Sequence, residues 1–209
     1  MMYNPNIHHR RSIRLQEYDY ANEGFYFVTI CTQNRKHLFG EIADGKMVMS
    51  EAGKMIEEWY LKIPVKYPNI SCRDYVVMPN HFHCIIHIID VNVGADLCVR
   101  PQKDVNPVWT DLRVRPNISG GNDFDTGGHI GPPLRVSLSR AIQWFKTMTT
   151  NLYIRGVKMH GWPLFDKRLW QRNYYEHIIR NSQSYQQILD YIQTNPLRWN
   201  EDTLFVEQE

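Results

Sequence analysis

Hydrophobic and polar positions change their period several times along the chain, and each change marks an element. Phe25-Tyr26-Phe27-Val28-Thr29-Ile30-Cys31-Thr32 is dense in aromatic and β-branched residues, which predicts a first strand. Asn34-Arg35-Lys36 reads as a turn. Leu38–Ile42 and Lys46–Met49 bracket Asp44-Gly45, a hairpin signal. Ser50 then opens a helix: its hydroxyl can cap, Glu51 favours the positive end, and Met55, Ile56, Trp59, Tyr60 and Ile63 recur at helical spacing. Pro64 and Pro68 are expected to end it. Ile70 to Met78 predicts a second strand, Pro79-Asn80 a turn, and residues 82–90 a returning strand. From Ser137, the stripe Leu138, Ile142, Phe145, Met148, Thr149 and Leu152 predicts a helix to about Tyr153, with Gly156 past its end. A short strand over Trp170–Tyr175 follows. Ser182 or Ser184 is then expected to cap a last helix with Tyr185, Ile188, Leu189 and Ile192 on its apolar face, ended by Pro196.

Residues 91–135 break this rhythm. They are rich in Gly, Pro, Asn and Asp, and they repeat Asp96-Leu97-Cys98-Val99-Arg100-Pro101 as Asp111-Leu112-Arg113-Val114-Arg115-Pro116. Two copies are too few for a solenoid, so a duplicated, flexible insertion in a surface loop is expected. The predicted organisation is an N-terminal arm (1–24), one domain (25–200) interrupted by the 91–135 insertion, and a tail (201–209). Without the insertion, the order is strand, helix, strand, strand, helix, strand and an added helix. That predicts an α+β fold: a ferredoxin-like antiparallel sheet with helices on one face, plus a C-terminal helix.

Composition narrows the class. With 209 residues, 43% hydrophobic and 22% charged, the chain can bury a real core. No run of about 18 apolar residues exists, so no membrane span is expected, and a polar start argues against a signal peptide. Four cysteines without CxxC spacing argue against a zinc ribbon and for a reduced, cytoplasmic setting. A net charge of +2 says little about partners, but Arg10, Arg11 and Arg14 cluster near the start, and Lys167, Arg168, Arg172 and Arg180 near the end. Each cluster reads either as solvated surface or as phosphate-contacting groups.

Two segments carry candidate chemistry. In Pro79-Asn80-His81-Phe82-His83-Cys84-Ile85-Ile86-His87-Ile88, alternation across a strand puts His81, His83 and His87 on one face. Imidazoles at i and i+2 can converge on a cation; the competing reading is a pair of half-buried histidines beside a core. In Asp190-Tyr191-Ile192-Gln193-Thr194-Asn195-Pro196, Tyr191 and Asn195 share a helix face, where the phenol can project and the amide oxygen can serve a hard cation. Read as plain structure, Tyr191 is a surface aromatic and Asn195 a cap.

Together, these blocks resemble the single-tyrosine HUH transposases of bacterial insertion sequences, and most closely the REP-associated tyrosine transposases. The resemblance rests on Val76–His83, on Trp170-Gln171-Arg172-Asn173-Tyr174-Tyr175-Glu176-His177-Ile178-Ile179-Arg180-Asn181, and on Asp190–Ile192 with Asn195-Pro196-Leu197-Arg198, in the family's order. It implies a bacterial, nucleoid-associated enzyme that cleaves and rejoins single-stranded DNA at palindromic hairpins through a 5′-phosphotyrosine. It implies that His81 and His83 bind Mg²⁺ or Mn²⁺ and that Tyr191 is the nucleophile, with Tyr174 and Tyr175 as competitors. Asn195 stands where many relatives place a glutamine as third ligand, and His177 is its rival. Arg10, Arg11, Arg14, Arg172 and Arg180 become candidate DNA contacts, and the protein is expected to act as a monomer or homodimer. Two alternatives come from other classes: a domesticated hairpin-binding protein with little or no cleavage, and an RNA-binding module with incidental histidines, for which no RNP-type aromatic run speaks.

Overall fold

The computed structural model describes residues 19–89 and 136–207. The insertion and Arg10, Arg11 and Arg14 of the N-terminal arm lie outside the described residues. Strand β1 (Gly24–Cys31) leads through a 3-10 turn into a hairpin of β2 (Gly40–Ala43) and β3 (Lys46–Met49). Asp44 and Gly45 both take positive φ, at 51° and 68°, the pairing of a type I′ turn. Helix α1 (Glu51–Leu61) is capped as expected, with the Ser50 hydroxyl accepting from Gly53 N. The chain breaks at Lys62, and Pro64 then sits in the first turn of a short helix, α2 (Ile63–Lys66). Proline fits there because the missing N–H has no helical partner anyway. Strands β4 (Ile70–Met78) and β5 (His81–Ile88) follow, then α3 (Leu138–His160), β6 (Tyr175–Ile179) and α4 (Ser182–Thr194).

The main sheet has the order β4-β5-β1-β6, and all its pairs are antiparallel. With the β2–β3 hairpin set aside, this is the ferredoxin-like βαββαβ topology that the element order predicts. Alternation along the strands builds two layers. Tyr26, Val28, Ile30, Phe82, Cys84 and Ile86 point into the larger core, under α1 and α3. Phe27, Ile85 and Ile179 point to the other face, where Ile192 of α4 covers them. The histidines of β5 therefore lie between the sheet and α4.

Three boundaries differ from expectation, each for a local reason. Helix α3 runs on past Tyr153 and ends at Gly161, which takes φ 66°. Gly156 is inside the helix because Trp162 folds back on it; a Cβ there would meet the indole at 2.2 Å. The expected strand at Trp170 is reduced to a single bridge with Thr32, and β6 begins only at Tyr175. In between, Lys146 Nζ donates to the carbonyls of Gln171 (2.6 Å) and Arg172 (3.1 Å), and these are lost to the ladder. Asn181, rather than either serine, caps α4: its Oδ1 accepts from Ser184 N.

Candidate active site

Register places the two histidines at one end of the sheet. His83 pairs with Thr29 and Val76, and His81 with Cys31 and Met78. Both are buried, at 0% and 2% exposure for His81 and His83. Their ring centroids are 4.4 Å apart. Phe27 stacks on His83 at 5.3 Å, and Trp199 lies against His81 at 5.8 Å.

The surrounding hydrogen bonds decide which nitrogen of His81 carries the proton. Asn80 Nδ2 donates to the carbonyls of Arg35 (3.2 Å) and Leu204 (2.8 Å), which orients its amide. Asn80 Oδ1 can then only accept, so the His81 Nδ1–H donates to it at 2.7 Å. This leaves His81 Nε2 with a free lone pair, buried and without a partner. His83 Nδ1 lies 2.7 Å from Thr29 Oγ1, which leaves its Nε2 for the same side of the site. A ring nitrogen oriented by a neighbour on its far side is the usual arrangement of a ligating histidine.

Helix α4 and the residues after it close the site. Tyr191 is 41% exposed, yet its hydroxyl reaches His83 Nε2 at 3.2 Å and Asp202 Oδ2 at 3.4 Å. Asn195 is buried rather than a solvent-facing cap, and its Nδ2 donates to Asp202 Oδ2 at 2.8 Å. The Asn195 Oδ1 is therefore a second buried polar atom without a partner. Asp202 Oδ1 accepts from Leu204 N at 2.7 Å, which fixes the carboxylate. His81, His83 and Asp202 each offer one ligand atom, and these atoms lie within 4.8 Å of one another.

Asp202 is the residue that sequence reasoning missed, because it falls in the segment expected to be a tail. That segment instead folds back: Arg35 Nη1 donates to Thr203 O, and Phe205 packs edge-on against Trp199. The YIxxNP block, with an acid seven residues after its Asn195, was the available signal. The other candidates separate. His177 stands opposite Phe27 on the edge strand β6 and lines a different cleft with Arg180. Arg172 lines a groove along α3. Tyr175 shares a cleft of about 450 Å³ with His83 and Tyr191, but it has no hydrogen bond to either histidine among the described residues.

Electrostatics favour neutral imidazoles and a protonated phenol. Burial lowers His81 to about 4 against the ordinary 6.5, with the Asp202 charge and then the neighbouring Asn195 side chain pulling the other way. Burial, then His81, holds His83 well below its usual range. Burial, then the Asp202 charge and hydrogen bond, push Tyr191 up to about 12. Two neutral imidazoles, a carboxylate and an amide oxygen are a fitting donor set for a divalent cation, and the two unpartnered buried atoms fit the same reading. A stability consequence follows for metal-free protein. Between pH 6.5 and about 4, the unfolded chain binds a proton that the folded His81 refuses. The histidine contribution is therefore complete above pH 6.5 and is lost as pH falls towards 4. Thermal melts in EDTA should show a midpoint dropping through that window, and His81→Gln should flatten the drop; parallel curves would refute it.

No family model matches the chain. A Haemophilus influenzae protein of uncharacterized role is 38% identical over 205 residues, covering 98% of each chain. This chain belongs to that protein's family. Two solved structures are also similar. One is the REP-associated tyrosine transposase bound to a REP hairpin: 18% identical, covering 90% of this chain and 74% of that one, with a TM-score of 0.47. The other, from Deinococcus radiodurans, carries a provisional transposase description: 12% identical, covering 87% and 96%, with a TM-score of 0.41. Among the described residues, no helix is long and apolar enough to cross a membrane.

Proposed function

We propose that this protein is a metal-dependent DNA strand-transfer enzyme, which cleaves and rejoins single-stranded DNA at hairpin sites through a 5′-phosphotyrosine on Tyr191. The observation that carries the reading is the half-exposed Tyr191 hydroxyl beside His83 Nε2, in a cluster with His81 and Asp202. The sequence blocks shared with REP-associated tyrosine transposases support the same chemistry. His81, His83 and Asp202 would hold Mg²⁺ or Mn²⁺, with Asn195 Oδ1 as a further oxygen donor; two imidazoles favour Mn²⁺ over Mg²⁺, which prefers oxygen. A divalent cation bound there would polarise the scissile phosphate and offset its developing charge.

The chain's own groups supply the rest. Tyr191 Oη forms the new P–O bond, the P–O3′ bond breaks, and the 3′ oxygen leaves as a hydroxyl on taking a proton from water. Asp202 lies within reach of the phenol to receive its proton. Asn195 holds that carboxylate in place, and Trp199 and Phe27 shield the imidazoles from water. Because the phosphodiester energy is kept in the phosphotyrosine, rejoining reverses the same step without ATP.

The test is direct. Protein incubated with Mn²⁺ and a hairpin oligonucleotide carrying single-stranded flanks should yield a denaturation-resistant protein–DNA adduct and a free 3′-OH fragment, and EDTA should suppress both. Hairpin binding with no adduct in either Mg²⁺ or Mn²⁺ would instead support the non-cleaving hairpin binder.

A further inference from the structure

Charge is distributed unevenly along this chain. Residues 136–175 carry seven Lys or Arg against the single acid Asp166, although the whole chain is only +2. Helix α3 contributes four of these cations and contains no Asp or Glu at all. A long helix with one face open to water ordinarily mixes both signs, because like charges repel without compensation.

Four of these seven cations, Lys146, Lys167, Arg168 and Arg172, line a groove of about 760 Å³ along α3. One wall is a polar stripe at helical spacing: Ser139, Gln143, Thr147 and Asn151. The facing wall holds Lys167, Arg168 and Arg172, all exposed, and among the described residues no acidic side chain lines the groove. Phe165 and Tyr174, both partly exposed, add aromatic surface between the cations. Hydroxyls, amides and cations alternating with ring edges suit a strand that presents phosphates and unpaired bases together.

The walls are fixed to each other and to the candidate active site. Lys146 of α3 holds the carbonyls of Gln171 and Arg172, and Trp170 Nε1 donates to Thr149 Oγ1 at 2.9 Å. The same segment is bonded to the end of β1, with Gln171 N donating to Cys31 O at 2.9 Å and Gln171 Nε2 to Thr32 O at 3.2 Å. Gln171 and Tyr174 line both this groove and the cleft that contains Tyr191 and His83. The two depressions thus share a wall.

We infer that the α3 groove is the track along which single-stranded DNA reaches the Tyr191 cleft, with Lys167, Arg168 and Arg172 on its phosphates and Gln171 and Tyr174 at the junction. This rests on the nuclease reading for its destination, but not for its binding chemistry. Full-length Tyr191→Phe protein in EDTA separates the two, because binding is then read without cleavage. Anisotropy of a fluorescein-labelled single strand should weaken about tenfold in a Lys167→Gln/Arg168→Gln variant, and its salt dependence should flatten by about 0.7 per phosphate contact removed. Both side chains are exposed, so the variant should melt as the parent does. A photoreactive residue at Asn151 should crosslink to the strand. Unchanged affinity and salt slope, no crosslink despite binding, or a duplex of equal length outcompeting the single strand would each overturn the track. Groove-dependent binding in a protein that never forms the adduct would support the groove and sink the nuclease reading.

Discussion

Tyr191→Phe should bind a hairpin oligonucleotide within about twofold of wild type and yet form no covalent adduct. The hydroxyl is the one group that the substitution removes. Its ring packs against Phe27 at 6.0 Å and His83 at 5.1 Å, and phenylalanine keeps both contacts. The hydroxyl's hydrogen bonds are partly exposed, so losing them should cost about 1 kcal/mol or less. Removing a nucleophile, by contrast, costs roughly 10³-fold or more in rate. Gel separation of adduct from free protein reads this directly. Tyr175→Phe is the matched control: 53% exposed and in the same cleft, its phenol lacks the histidine contact. If Tyr175→Phe loses the adduct and Tyr191→Phe retains it, the nucleophile has been assigned to the wrong tyrosine.

The same site shows how much a sequence can reveal. Period-two alternation through His81-Phe82-His83-Cys84 made the shared imidazole face legible, because a strand leaves a side chain only two directions. Tyr191 and Asn195 were legible as one helix face. That α4 would cover the β5 histidines rather than solvent was not, since this depends on Ile192 meeting Phe27 and Ile85 across a distance that no local pattern encodes. Asn195 read equally well as a cap, and its buried amide is bonded to Asp202, which belongs to an irregular segment without periodicity. The limits of α3 and β6 were hidden for a similar reason. Trp162 folding onto Gly156, and Lys146 taking the carbonyls of Gln171 and Arg172, are tertiary events that override local propensity.

Asp202 is where the site is most open to test, because two substitutions divide its roles. Asp202→Ala should lower Mn²⁺ affinity, measured by calorimetry on the Tyr191→Phe background, by about a hundredfold. It removes the carboxylate of the cluster and leaves Asn195 Nδ2 buried without its acceptor. Asp202→Asn keeps a side-chain oxygen for Asn195 and for the Tyr191 hydroxyl but gives up the charge. If Asp202 acts as a cation ligand, the asparagine variant should bind Mn²⁺ nearly as poorly as the alanine variant while melting close to wild type. If it only positions Asn195 and the phenol, the asparagine variant should bind normally. Charge removal has a second consequence with a definite sign: Asp202 is among the causes that raise Tyr191, so the phenol of the Asp202→Asn protein should ionise at a lower pH than about 12. Ultraviolet titration against an Asp202→Asn/Tyr191→Phe reference isolates that transition. An ionisation that does not move would mean the carboxylate faces the phenol too weakly to take its proton.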